Sequence, residues 1–292
     1  MKYSATVPAK EPTKAKTKIY VALATYANNL RRDTHQSLVE IYSAAGRAMF
    51  PDVEFMEGGI GGDGVARARN GLSQDFVLNS DATHFLCVDI DIRFQPYHVK
   101  RLLDADKDII GGLYAAKQMN HRWIMNPLPD VPFDPRKGVQ KVNETGTGLK
   151  LIKRKVFEDM IAAYPEIGYL CDGRPGRPML WDFWSMGVVD SRYLSEDYYF
   201  DYRARKIGYE IYCDGLCQIV HEGLIGYPFT ANLEVFDGMT IEAIYDLAVK
   251  MGCVKARDQE DLTNAYPCHF DGEVKTVPKI GERTADVLEV VT

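Results

Sequence analysis

The stretch His84-Phe85-Leu86-Cys87-Val88-Asp89-Ile90-Asp91 decides the fold. Phe85 to Val88 leave no polar face, so the segment predicts a strand buried on both sides. Such strands lie in the middle of an α/β sheet, and acids that follow the run emerge at its carboxyl edge, where ligands bind. Residues two apart on a strand share a face, so Asp89 and Asp91 are expected to converge. A divalent cation relieves the repulsion between two such carboxylates. A structural role stays open beside that one, since two acids can also end a strand and cap a turn.

Outward from this strand, helical and strand patterns alternate. Upstream, residues 19–26 (IYVALATY) read as a buried strand. Residues 34–50 carry helical spacing at Leu38, Ile41, Tyr42, Ala45 and Met49. DVEFME (52–57) reads as a strand, and a helix runs through 65–80. Downstream, Pro96 opens a helix ending near Asp104, and DIIGGLY (108–114) is a strand. Residues 117–145 are polar and irregular, as segments that shape a site often are. TGLKLIK (147–153) is a strand, 154–164 a helix, 195–207 another helix, and EIYCD (210–214) and QIVH (218–221) two strands. A further helix is expected over 240–252. The alternation predicts a three-layer α/β fold on a mostly parallel sheet. It divides the chain into a disordered leader (1–17), one domain (18–230) and a helical C-terminal extension with a tail (231–292).

A net charge of −6 gives no global basic field for a polyanion, although a local basic patch remains compatible with it. The six cysteines form no CxxC pair, which disfavours a zinc site and fits a reducing cytosol. No signal peptide and no apolar run of membrane-spanning length stands in the sequence, so a cytoplasmic protein with no membrane partner is expected.

Other groupings carry chemistry. Ser195 is a candidate N-cap that puts Glu196 and Asp197 in a helix's first turn. The helix dipole alone explains acids there. Trp181-Asp182-Phe183-Trp184 could grip a sugar ring, or its aromatics could be core. Gly59-Ile60-Gly61-Gly62-Asp63-Gly64 fits the dinucleotide-binding pattern and keeps an oxidoreductase in view. That reading leaves Asp91, Glu196, Asp197 and His221 unexplained.

In chain order, the strand 19–26, Arg69-Asn70, Asp89-x-Asp91, Gly146-Thr147-Gly148, Ser195-Glu196-Asp197 and His221 resemble glycosyltransferases of the GT-A fold, including small bacteriophage-encoded ones. The resemblance covers roughly residues 18–223. It implies that Asp91 is the direct metal ligand and His221 the second. Asp89 would meet the donor's ribose or the metal's water shell. An imidazole beside carboxylates suits Mn²⁺, with Mg²⁺ the other choice. Thr25 and Tyr26 would hold the nucleoside base and Arg69 the diphosphate, with Asn70, Trp181 and Glu196 completing the donor set. Asp197 would be the general base of an inverting transfer.

The implied activity is metal-dependent transfer from a nucleotide-sugar, uridine- or guanosine-based, to an acceptor hydroxyl. That acceptor could be a glycan, a protein or a hydroxymethylated DNA base. The alternatives are an NAD(P)-dependent oxidoreductase and a carbohydrate-binding module without catalysis.

Overall fold

The computed structural model describes residues 17–25, 29–61, 64–117, 122–170, 179–223 and 226–227. The leader apart from Thr17, the 231–292 extension with its expected helix, and Tyr26 lie outside the described residues.

Seven strands form the central sheet: β1 (Thr17–Thr25), β2 (Val53–Gly61), β3 (His84–Asp89), β4 (Ile109–Leu113), β5 (Val139–Val142), β6 (Leu149–Lys153) and β7 (Ile211–Gln218), in the order β2-β1-β3-β6-β4-β7-β5. β1 to β4 and β7 run one way, while β6, inserted between β3 and β4, and the edge strand β5 run the other way. The helices are α1 (Arg32–Tyr42), α2 (Ala44–Met49), α3 (Val65–Asn79), α4 (Pro96–Asp104), α5 (Arg154–Ala163) and α6 (Glu196–Lys206). The fold is the expected three-layer α/β architecture with a mostly parallel sheet.

Strand alternation sorts the core into two faces. Tyr20, Ala22, Phe85 and Cys87 pack with Leu72 and Phe76 of α3, Phe157 of α5 and Phe200 of α6. Ile19, Val21, Leu86 and Val88 pack with Leu38 and Ile41 of α1 and Val99 and Leu102 of α4. Rings pave the first face, with Phe85 stacked on Tyr20 at 5.8 Å and Phe76 at 5.2 Å from Phe85. Each such ring contributes on the order of 1.5–3 kcal/mol by leaving water.

Four local expectations change. The helix expected over 34–50 breaks at Ser43, whose hydroxyl donates to the Glu40 carbonyl and accepts from the Gly46 amide. That hydroxyl competes with the helical ladder and caps α2 afresh. β3 stops at Asp89, and a turn at Ile90–Asp91 leads into the short strand Ile92–Arg93. The irregular 117–145 stretch contributes β5 to the sheet edge. Residues 220–222 leave the sheet and pair with Ile92–Arg93 and Gly226–Tyr227 in a separate ribbon.

Candidate functional site

β1 connects through α1 and α2 to β2 on one side, and β2 returns through α3 to β3 on the other side of β1. The carboxyl ends of β1 and β3 therefore form a topological switch point, where neighbouring connections diverge and leave a crevice. A cavity of about 330 Å³ opens there, lined among others by Thr25, Arg69, Asp89, Asp91, Glu196 and His221.

Phe85 and Cys87 face the α3 and α6 layer, so Asp89, two further on, is aimed at the same side. It meets Arg69 of α3, whose Nη2 donates to Asp89 Oδ1 at 2.6 Å. The other arm, Nη1, donates to Glu196 Oε1 at the start of α6. Arg69 is only 4% exposed. Burial works to lower its proton affinity, but the charges of Asp89 and Glu196 outweigh that and raise it, so the guanidinium stays charged. One buried cation thus ties three elements, β3, α3 and α6, around the cavity floor.

Asp91 lies one turn beyond the strand, so strand alternation does not govern its direction. Backbone contacts fix that turn: the Ile90 carbonyl accepts from the Arg31 amide at 3.1 Å and from the Thr34 hydroxyl at 2.8 Å. The Glu222 amide donates to the Asp91 carbonyl at 2.7 Å, and His221 pairs with Ile92 across the ribbon. This pairing carries a histidine 130 positions away in sequence to Asp91, with His221 Nε2 3.6 Å from Asp91 Oδ1. The Lys117 ammonium holds the other oxygen, Oδ2. Burial pushes the Asp91 carboxyl up, but hydrogen bonds from His221 and Lys117 prevail and bring it down to about 2.

The tautomer of His221 follows from its second contact. Nδ1 lies 3.0 Å from the Ala115 carbonyl, which can only accept, so Nδ1 carries a hydrogen. In the neutral ring, Nε2 then turns a lone pair toward a carboxylate. Two acceptors facing each other require either a proton or a cation between them. A histidine held by a backbone carbonyl with its free nitrogen toward a carboxylate is the usual posture of a metal ligand. Among the described residues no three His, Cys, Asp or Glu side chains group into a ready metal cage. Asp91 and His221 could supply two ligands, a number that phosphate-bridging cations commonly take from protein, with substrate oxygens and water to complete the shell.

Ser195 occupies the N-cap position of α6, but its hydroxyl donates to Asp197 instead of capping the helix backbone. The Tyr198 amide donates to the same oxygen, Asp197 Oδ1, at 2.8 Å. Oδ2 has no hydrogen-bond donor among the described residues. Asp197 itself does not line the cavity, whereas Glu196 does.

Asn70 acts as a clamp. Its amide donates to Asp182 Oδ1 at 2.6 Å and its carbonyl accepts from the Trp184 amide at 3.0 Å. Phe183 and Trp184 are fully buried, with Trp184 stacked on Phe200 at 4.3 Å. Trp181 packs half-buried against the same core and is absent from the cavity wall. The core alternative describes Phe183 and Trp184, because Asn70 and Ser73 satisfy the backbone and indole N–H of Trp184 and let it be buried. Gly59 and Gly61 lie inside β2, so they form strand and not a phosphate-cradling loop. Gly64, at φ +134°, makes the turn into α3 beside the cavity.

Sequence reasoning missed three participants. Lys117 stood in the irregular stretch with nothing to mark it. Tyr114 accepts from the Gly148 amide at 2.9 Å and sets its ring edge against His221, 5.4 Å between centroids. A Cβ on Gly148 would come within 2.6 Å of that ring, which explains why glycine stands there. The third is a fully buried ion pair, Lys150 to Asp201 at 2.5 Å, with Asp201 also accepting from the Thr145 amide at 2.8 Å. Burial lifts the Asp201 carboxyl to about 6 against the opposing pull of Lys150. A lysine inside the apolar run LKLIK was the available signal.

Comparison with known proteins finds no matching family model, and no curated protein matches. Among solved structures, A197 from STIV aligns with TM-score 0.42 and 16% identity over 70% of this chain and 85% of that one. GalNAc-T7 with UDP, GalNAc and Mn²⁺ aligns with TM-score 0.44 and 10% identity over 74% of this chain, which spans 44% of that chain's length. Neither likeness supports a residue assignment here.

Proposed function

We propose that this protein is a metal-dependent glycosyltransferase that takes a sugar from a nucleoside-diphosphate donor bound at the switch-point cavity. The observation that carries the reading is the pair Asp91 and His221, whose Oδ1 and Nε2 face each other at 3.6 Å beside a buried, charged Arg69. A cation at Asp91 and His221, Mn²⁺ or Mg²⁺, would neutralise the charge that grows on the departing diphosphate. Thr25, at the end of β1, lines the same cavity and would meet the nucleoside. Arg69 holds Asp89 and Glu196 in place, so its role is to fix the cavity floor as much as to face phosphate.

In an inverting displacement the acceptor oxygen bonds to the anomeric carbon while the carbon–oxygen bond to the diphosphate breaks. The hydroxyl proton passes to a carboxylate, and the open Oδ2 of Asp197 supports that acid as the base. Glu196 is a second candidate, because it lines the cavity. Its Oε1 is engaged by Arg69. The acceptor class is a glycan, a protein or a hydroxymethylated DNA base.

The test is release of nucleoside diphosphate from a panel of nucleotide-sugars, with Mn²⁺ and with chelator. Release from one donor class only with metal supports the reading. Sugar binding without turnover of any donor would move it to the non-catalytic module, and chelator-indifferent oxidation of NAD(P)H to the oxidoreductase.

A further inference from the structure

We infer that Lys117 is a built-in stand-in cation for the proposed metal position: it neutralises Asp91 while no divalent ion is bound and must leave when one arrives. This rests on the metal reading above and adds to it a residue that competes with the ion. Asp91 has two oxygens, and both are spoken for. Oδ2 takes the Lys117 ammonium, and Oδ1 faces Nε2 of His221. The carboxylate side chain is 21% exposed and the lysine side chain 34%, so the pair is shielded on the protein side and open on the other. His221 cannot turn away, because Nδ1 is fixed on the Ala115 carbonyl and its ring rests on Tyr114.

Lysine is the one member of this group that can move. Its four-carbon stem is flexible and its ammonium is a strongly hydrated point charge that tolerates release to water. Two cations on one carboxylate repel each other, and a dication repels an ammonium twice as strongly as another ammonium does. Occupancy by a metal and contact with Lys117 therefore exclude one another. The lysine lowers apparent metal affinity and keeps the metal-free carboxylate paired.

Mn²⁺ affinity, read by isothermal titration and by the loss of free-ion paramagnetic resonance signal, tests this without any assay of transfer. Lys117→Met should bind Mn²⁺ at least about threefold tighter than the unaltered chain, as expected for removing a partly exposed ion pair. Lys117→Arg, which keeps the charge, should stay near the unaltered affinity. Circular dichroism checks that both variants fold. Unchanged or weaker binding by Lys117→Met, in a chain whose Mn²⁺ binding needs Asp91, would overturn the inference and leave the metal reading standing. Absence of Mn²⁺ binding in both the unaltered chain and Lys117→Met would overturn both.

Discussion

His221 Nε2 and Asp91 Oδ1 face each other 3.6 Å apart, because the Ala115 carbonyl holds the other ring nitrogen. Asp91→Asn keeps the shape and removes the charge, so Mn²⁺ binding should fall by at least about tenfold, the range seen when a metal site loses part of its support. Titration of Mn²⁺ into the variant checks it. Equal affinity would place any metal elsewhere.

The two acids that open α6 should separate by their effects. Asp197→Asn is expected to leave donor affinity intact and to cut the transfer rate by roughly 10²- to 10⁴-fold, the worth of a positioned base. Glu196→Gln removes one of the two charges on Arg69 and should lower donor affinity and thermal stability together. Steady-state kinetics beside melting curves distinguish these outcomes. The reverse pattern, with rate lost only in Glu196→Gln, makes Glu196 the base.

The buried pair under α6 should behave as a unit. Lys150→Met leaves Asp201 without its counter-ion in a site with no exposure, at a cost of about 3–5 kcal/mol. Lys150→Met combined with Asp201→Leu should recover much of that loss. Urea denaturation measures both, and a single variant within about 1 kcal/mol of the parent contradicts the buried-charge account.

Acid should destabilise the fold from about pH 6.5 downward through two buried histidines. His98 caps α4 by accepting from the Gln95 amide through Nδ1 at 2.8 Å, which requires a neutral ring. Burial first, and then Arg101, lower its proton affinity to about 4. Between pH 6.5 and 4 the unfolded chain holds more protons at this residue than the native one. Stability from His98 is thus complete above pH 6.5 and drains away as pH falls toward 4, by up to about 3 kcal/mol. His84, lowered to about 4 by burial and by Lys153, adds in the same direction. His98→Gln retains an acceptor for the cap and does not titrate, so its melting temperature should fall less over that interval.

Much of the scaffold was legible in the sequence, because burial on both faces of a sheet forces continuous apolar runs such as Phe85–Val88. Helix starts at Pro96 and Glu196 were legible for similar local reasons. The site was legible in part. Thr25, Arg69, Asp89, Asp91, Glu196 and His221 meet at one cavity, and Tyr26 lies outside the described residues. The convergence of Asp91 with His221 arises differently than strand alternation implies, since an antiparallel ribbon between residues 92–93 and 220–222 creates it. Pairing over that separation leaves no local pattern. Trp181 drew attention through residue type, and type alone does not tell a sugar platform from a core ring. Lys117 was invisible because a lone lysine in a polar stretch looks like solvated surface.

The most direct test of the central claim is isothermal titration of nucleoside diphosphates into the protein, once with Mn²⁺ and once with chelator. Linkage between ion and phosphate at one site predicts binding roughly 5- to 150-fold tighter with Mn²⁺, and the same gain for Mn²⁺ when the nucleotide is present. Equal affinity in the two buffers, or a gain that survives Asp91→Asn, would contradict a metal-bridged donor site at Asp91 and His221.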